Sequence, residues 1–274
     1  MKASLKPGTF RIDPWPSESD WLSLEFVIRQ ATGLDLGAYK KEPLQCKICD
    51  LSVRYGYPDI PRLIKRLQID AGFRDWFVDQ LLNNVTEFFR DEEQWQYLNK
   101  ALLPHLAQPQ ETMQAWCAGC SNGAEPLSLA CLFEDYNLQY SILATDLDRR
   151  CLCQAEQGSY SKSEVTGMPQ NYLNQFFEEN EDGYGVQPNL LEKIEYRRAN
   201  LLTDPVDRVF DLIICKNVLV YLSPLARDTV IQKLVASLKQ DGILLLGTCE
   251  KLLNPHLMHL MPIRNDFYRK LGSE

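Results

Sequence analysis

Four short apolar runs, at 113–118, 140–144, 210–215 and 243–247, alternate with stretches whose apolar residues recur at helical spacing. That alternation leaves the chain few choices. Parallel strands cannot be joined by a tight turn, so each needs a crossover, and a helix laid on the sheet is the common one. Runs that are apolar throughout predict strands buried on both faces. The clearest crossover is 224–238, with Val230, Ile231, Leu234, Val235 and Leu238 on one face; Asp241-Gly242 ends it and a strand follows. The stretch 171–199 breaks the rhythm. There a charged turn from Glu178 to Gly185 sits between strand-like pieces, which predicts an antiparallel insertion.

Upstream the pattern differs. Residues 1–17 are proline-rich and polar and predict an extended arm. Ser19 is expected to cap a first helix carrying Leu22, Phe26, Val27 and Ile28 and ending before Gly33. Helical patterns follow around 38–55, 59–68 and 70–82, broken at Gly56 and Pro58, and no strand is expected before residue 90. Charge divides at the same place: the first third is close to neutral, so the net charge of -8 lies in the remainder. The expected organisation is a helical unit with its linker at 1–90 and an α/β unit at 91–274.

An acidic balance excludes a general nucleic-acid binder, which needs basic surface to neutralise phosphates. No apolar run approaches the ~20 residues of a membrane helix, and nothing behind Met1 reads as a signal peptide. The chain is therefore expected in the cytoplasm, not embedded in a membrane, and working as a monomer. Nine cysteines, an odd number, predict free thiols. Cys46-x-x-Cys49 and Cys117-x-x-Cys120 have the spacing of half zinc sites, but one pair falls on a helix and the other on a strand and its turn, so no metal is expected.

In such a sheet ligands bind beyond the carboxyl ends of the strands. The first strand runs into Gly119-Cys120-Ser121-Asn122-Gly123-Ala124-Glu125, where two glycines allow a tight turn and close approach of a ligand. The same turn fits Gly-x-Ser-x-Gly, the nucleophile elbow of α/β-hydrolases, with Ser121 as nucleophile. Only His256 and His259 lie downstream as bases, in a Leu/Met-rich stretch, and the elbow belongs late in a sheet. The second strand ends at Thr145-Asp146-Leu147-Asp148. A carboxylate there can accept both hydroxyl protons of a ribose, which assigns Asp146 to the ligand and Asp148 to capping the next helix. Lys216 and Asn217 stand at the carboxyl end of the 210–215 strand, and Tyr221 follows by one turn.

Taken together, the segments Asn84-x-Thr86-x-Phe88-Phe89-Arg90-Asp91, Cys120-Ser121-x-Gly123-x-Glu125-Pro126, Ala144-Thr145-Asp146-x-Asp148, Asn200-Leu201-Leu202, Cys215-x-Asn217-Val218-x-x-Tyr221 and Gly247-x-x-Glu250 resemble the chemotaxis receptor glutamate methyltransferases, the CheR family. The resemblance implies a Rossmann-like methyltransferase dependent on S-adenosylmethionine, with a small all-helical N-terminal domain and an inserted antiparallel β-subdomain. It implies that Asn84, Thr86, Arg90, Glu125, Asp146, Asn200, Leu201, Lys216 and Asn217 hold the cofactor, and that Tyr221 and Arg90 act at the methyl group or the acceptor. Phe88 and Phe89 would pack their segment down. The implied substrate is the cytoplasmic helices of chemoreceptors, modified as glutamate methyl esters. A different protein or small-acid acceptor, or a non-catalytic cofactor-binding module, is compatible with the same motifs.

The departures concern the acceptor. Where the family carries an arginine-rich helix, this chain keeps Lys47 but has Asp50, Leu51 and Val53. Lys216 replaces an arginine, which retains the charge but not the fork of donors.

Overall fold

The computed structural model describes residues 17–57, 59–82, 86–106 and 111–272. The chain forms two compact units, Met1–Asn83 and Asn84–Glu274. The boundary falls before the 84–90 run rather than after it, because Phe88 and Phe89 belong to the core of the second unit.

The first unit is built of α1 (Glu18–Thr32), α2 (Lys41–Arg54), α3 (Ile60–Ile69) and α4 (Ala71–Leu82). Its N-terminal cap is Ser17, not Ser19. The Ser17 hydroxyl accepts from the Asp20 N–H while the Asp20 carboxylate accepts from the Ser17 N–H, a reciprocal pair that outcompetes the later serine. Gly33 closes α1 in the left-handed conformation. Leu24, Ile28, Leu63 and Leu67 are fully buried, so the apolar faces of α1 and α3 form this unit's core. The expected break at Pro58 and most of the expected arm lie outside the described residues.

The second unit opens with α5 (Glu92–Tyr97), which continues through a π turn at Leu98–Leu102 into α6 (Leu103–Leu106). Then come β1 (Met113–Ala118), α7 (Ala124–Asp135), β2 (Tyr140–Asp146), α8 (Arg149–Gln157), β3 (Ser159–Tyr160), α9 (Gln170–Phe176), β4 (Phe177–Asn180), β5 (Gly183–Val186), α10 (Pro188–Leu191), β6 (Ile194–Arg198), β7 (Phe210–Cys215), α11 (Pro224–Ala236), β8 (Leu238–Leu246), β9 (Leu260–Arg264) and β10 (Phe267–Lys270). The main sheet has the order β6-β2-β1-β7-β8-β10-β9. Strands β6, β2, β1, β7 and β8 are parallel, and β10 runs antiparallel to both its neighbours. The strand order reverses between β1 and β7, and the crevice at their carboxyl ends is the place where such sheets bind ligands.

Two boundaries differ from expectation. Ile194–Arg198, assigned to the insertion, is the edge strand β6 of the main sheet, paired in parallel with β2. Its outward residues are charged, so it reads like a hairpin strand. The inserted sheet is instead β3-β5-β4 and draws Ser159 and Tyr160 from upstream. Helix α11 ends at Ala236, and Leu238 pairs with Phe210 in the sheet rather than lying on the helix face. Asp241 then turns with a positive φ inside the irregular start of β8. Among the described residues, no helix is long and apolar enough to cross a membrane.

Candidate active site

The run 86–91 is fastened to the second unit by aromatic packing. Phe88 meets Tyr160 and Phe177 edge-on at 5.0 and 5.7 Å. Phe89 stacks on Tyr172 at 5.4 Å, and its N–H donates to Ser128 Oγ at 3.0 Å. Both Phe89 and Asp91 have positive φ (53° and 62°), which aspartate tolerates but which is unfavourable for phenylalanine and has to be held by the packing of its ring. The Arg90 carbonyl accepts from Lys216 Nζ at 2.7 Å and from Trp95 Nε1 at 2.9 Å. Lys216 also pairs with Asp91 at 3.2 Å and lies over the Trp95 ring. Lys216, expected on the floor of the cofactor cleft, thus works in this structure as a buried clamp on the 86–91 backbone. Thr86 is partly buried at the start of this run, and Asn84 lies outside the described residues.

After β1 the chain turns through Gly119, Ser121 and Gly123, all at positive φ. The space over the two glycines is taken by the protein itself. A Cβ on Gly119 would come within 2.4 Å of the Val218 side chain, and one on Gly123 within 2.8 Å of Ala155 and 2.9 Å of the Tyr160 hydroxyl. Gly119 therefore serves the turn and its packing against the β7 loop, and Gly123 the turn and its packing against α8 and Tyr160. The Asp146 carboxylate accepts from the Ser121 N–H (2.8 Å) and the Asp148 N–H (2.9 Å), which ties the end of β2 to the β1 turn. Burial pushes its carboxyl pKa up.

Asp148 caps α8, accepting from the N–H groups of Arg150 and Cys151 at 2.9 and 3.3 Å. Replacing Asp148 by alanine is expected to cost about 1 kcal/mol of stability while cofactor affinity holds, measured by urea denaturation and calorimetry. A loss of affinity larger than the loss of stability would move Asp148 into the site.

Glu125 stands in the first turn of α7, and its Oε1 is shut off from solvent with no hydrogen-bond partner among the described residues. Burial raises its pKa from 4.5 to about 7, against the pull of Lys216, the Cys117 thiol and Arg90. The charges of Lys216 and Arg90 thus act on the Glu125 carboxyl. Next to β2, the chain leaves β6 into Asn200 and Leu201. Asn200 Oδ1 accepts from the Leu202 N–H at 2.9 Å, so this side chain shapes the loop that follows. Leu201 is partly buried.

One central residue was not among the expected site residues. Glu250 is 1% exposed, and its carboxylate accepts from three backbone N–H groups, those of Asn217, Gly247 and Val220, each at 2.9 Å. It joins the ends of β7 and β8 and fixes the turn that carries Tyr221, which is 55% exposed. Asn217 adopts a positive φ of 59° in this arrangement. The visible signal was Gly247-x-x-Glu250: a Cβ on Gly247 would sit 2.6 Å from Glu250 Oε2, so glycine is what lets the carboxylate reach three donors. Among the described residues no group of His, Cys, Asp or Glu is placed to hold a metal, and all nine cysteines are free.

A largely parallel sheet with this strand order, an antiparallel β10 and polar side chains gathered at the carboxyl ends of β1, β2, β6 and β7 defines a Rossmann-like methyltransferase dependent on S-adenosylmethionine. Residues 84–267 match the family described as "CheR methyltransferase, SAM binding domain", and the chain belongs to that family. The match begins at the first residue of the second unit. The chain is 35% identical over 256 residues to the chemotaxis protein methyltransferase of Listeria monocytogenes, covering 92% of this chain and 98% of that protein. It is 29% identical to the one from Borreliella burgdorferi (86% and 89% covered) and 26% identical to the one from Salmonella typhimurium (83% and 82%).

S-adenosylmethionine is the cofactor, and the residues present fit it. Its methionine end carries an ammonium and a carboxylate. The structure offers a secluded acceptor atom, Glu125 Oε1, without a hydrogen-bond partner among the described residues, and a guanidinium whose charge acts on the same carboxylate at Arg90.

Proposed function

We propose that this chain forms methyl esters on glutamates of chemoreceptor cytoplasmic helices, as a monomer in the cytoplasm. Arg90 holds the cofactor carboxylate and Glu125 its ammonium. Asp146 accepts from the ribose with the lone pairs its two backbone donors leave open. Asn84, Thr86, Asn200 and Leu201 surround the nucleoside, Lys216 acts through the Arg90 carbonyl it holds, and Asn217 lines the cleft on the turn that Glu250 fixes. The buried Glu125 Oε1, left without a hydrogen-bond partner among the described residues beside the strand-order reversal, is the observation that carries this reading, together with the names borne by the chain's relatives.

When bound, S-adenosylmethionine supplies a methyl group already activated by its sulfonium. A glutamate carboxylate is ionised at neutral pH, so the acceptor needs no proton removed and the protein needs no strong base. The task left to the chain is alignment and the exclusion of water. Tyr221 presents its hydroxyl on a turn that a protein acceptor can reach, and in this reading it orients the acceptor beside the methyl group while Arg90 steers the same carboxylate.

Transfer of labelled methyl to receptor-containing membranes, with label released by base, tests the reading. Label on another acceptor alone would favour a different substrate, consistent with Asp50 and Leu51 on α2. Tyr221→Phe is expected to lower kcat about tenfold with cofactor Kd unchanged; an unaltered rate would remove Tyr221 from the mechanism.

A further inference from the structure

Among the described residues of the second unit, the large exposed apolar side chains are not scattered. All but Val209 and Leu271 fall in two stretches, 220–225 and 253–261. Leu225 is 80% exposed in the first turn of α11, and Leu253 and Leu257 are 92% and 82% exposed between β8 and β9. Such concentration marks a contact surface rather than ordinary surface composition.

Leu253 and Leu257 border a groove of about 760 Å³ between the β8–β9 connection and the β9–β10 turn. Its charged lining is Lys251 and Arg264, with His256 beside them and no Asp or Glu, although the chain as a whole carries a net charge of -8. Arg264 is engaged by Glu93 at 3.3 Å and by Asp266 at 3.9 Å, whereas the Lys251 side chain stands in solvent. The groove is tied to the Tyr221 turn. Arg227 on α11 donates to the carbonyls of Glu250 (3.1 Å) and Lys251 (2.7 Å), and Glu250 in turn receives the Val220 N–H. The mouth of the groove thus begins one residue beyond the carboxylate that sets Tyr221.

We propose that the surface formed by 220–225 and 251–264 docks the protein acceptor as an acidic amphipathic helix. Its apolar face lies on Leu225, Leu253 and Leu257, and its carboxylates face Lys251, which delivers a glutamate to Tyr221. Exposed leucines along a groove suit the apolar face of a docked helix, and cations without a carboxylate in the lining steer and orient an acidic partner. The inference rests on the proposed acceptor class.

The test is steady-state methyl transfer to a receptor cytoplasmic fragment by the full chain, with Leu253→Asp/Leu257→Asp as one variant and Lys251→Glu as another. These side chains are exposed, so cofactor Kd by calorimetry should match the parent and serves as the folding control. The double variant is expected to raise KM for the fragment at least tenfold with kcat at saturation retained. Lys251→Glu should raise KM about fivefold at low salt, with the gap closing as salt screens the charge. No transfer by the parent chain would sink the acceptor reading and the docking surface with it. Transfer by the parent with an unchanged KM in the double variant would sink the docking surface alone. Sedimentation showing a parent dimer that the same substitutions dissociate would hand the leucines to a second copy and overturn the proposal.

Discussion

Glu250→Ala is expected to destabilise the second unit by on the order of 3–5 kcal/mol and to lower methyl transfer about a hundredfold. The carboxylate is buried and satisfies the N–H groups of Asn217, Gly247 and Val220. Alanine would leave three donors without an acceptor in a place water reaches poorly, and each orphan costs roughly 1–3 kcal/mol before relaxation. Relaxation is what abolishes activity, because the donors find new partners only if the Asn217–Tyr221 turn moves. Glu250→Gln should fall between. Its one oxygen can keep the two donors now shared by Oε2, but its amide then faces the Val220 N–H, donor against donor. Gly247→Ala attacks the same joint from the other side, with a Cβ placed 2.6 Å from Glu250 Oε2. The measurements are the urea midpoint of the second unit's transition and kcat. An unaltered midpoint in Glu250→Ala would show that the three bonds are not held in solution.

Glu125→Gln should weaken S-adenosylmethionine binding on the order of 10–100-fold at pH 8 and change how binding depends on pH. Burial lifts Glu125 to about 7 in the protein without cofactor. Binding an ammonium requires the ionised carboxylate, so parent affinity rises with pH up to about 7 and levels off above it, until the cofactor's own ammonium titrates. Below pH 7 it falls by up to tenfold per unit. Glutamine has nothing to titrate there, and its profile should be flat across that window.

Stability moves the other way. With its folded pKa above the unfolded 4.5, Glu125 binds its proton more tightly in the folded chain. Its contribution is therefore most favourable at low pH and is lost as pH rises through about 7. The glutamine variant should accordingly gain stability relative to the parent between pH 5 and pH 8. A parent and variant with parallel binding profiles would show that Glu125 does not meet the ammonium.

Much of the fold could be read from local pattern. The runs at 113–118 and 210–215 became strands with those bounds because strands buried on both faces leave an unbroken apolar signal. Ile194–Arg198 escaped because an edge strand has one wet face, and its charges imitate a hairpin. The cap of α1 moved to Ser17 because the reciprocal bond with Asp20 decides between two nearby serines, and only geometry reveals that bond. Helix α11 was read too long because Leu238 continues the helical spacing and yet is claimed by the sheet.

The candidate site divides in the same way. Residue types and their order marked Arg90, Glu125, Asp146, Asn217 and Tyr221, since charge and hydrogen-bonding capacity are properties of single residues. How those residues are used is a property of neighbours distant in the chain. Lys216 meets the Arg90 carbonyl from 126 residues away, Glu250 collects donors from both β7 and β8, and Val218 closes the space over Gly119. By itself the sequence determined the parallel sheet, the helical first unit and the chemistry available at the strand ends, because hydrophobic periodicity and side-chain type are local. Only the tertiary structure decided which polar groups hold the protein together and which are left for a ligand. Hydrogen-bond satisfaction is settled pair by pair across the fold, and it leaves Glu125 Oε1 without a hydrogen-bond partner among the described residues.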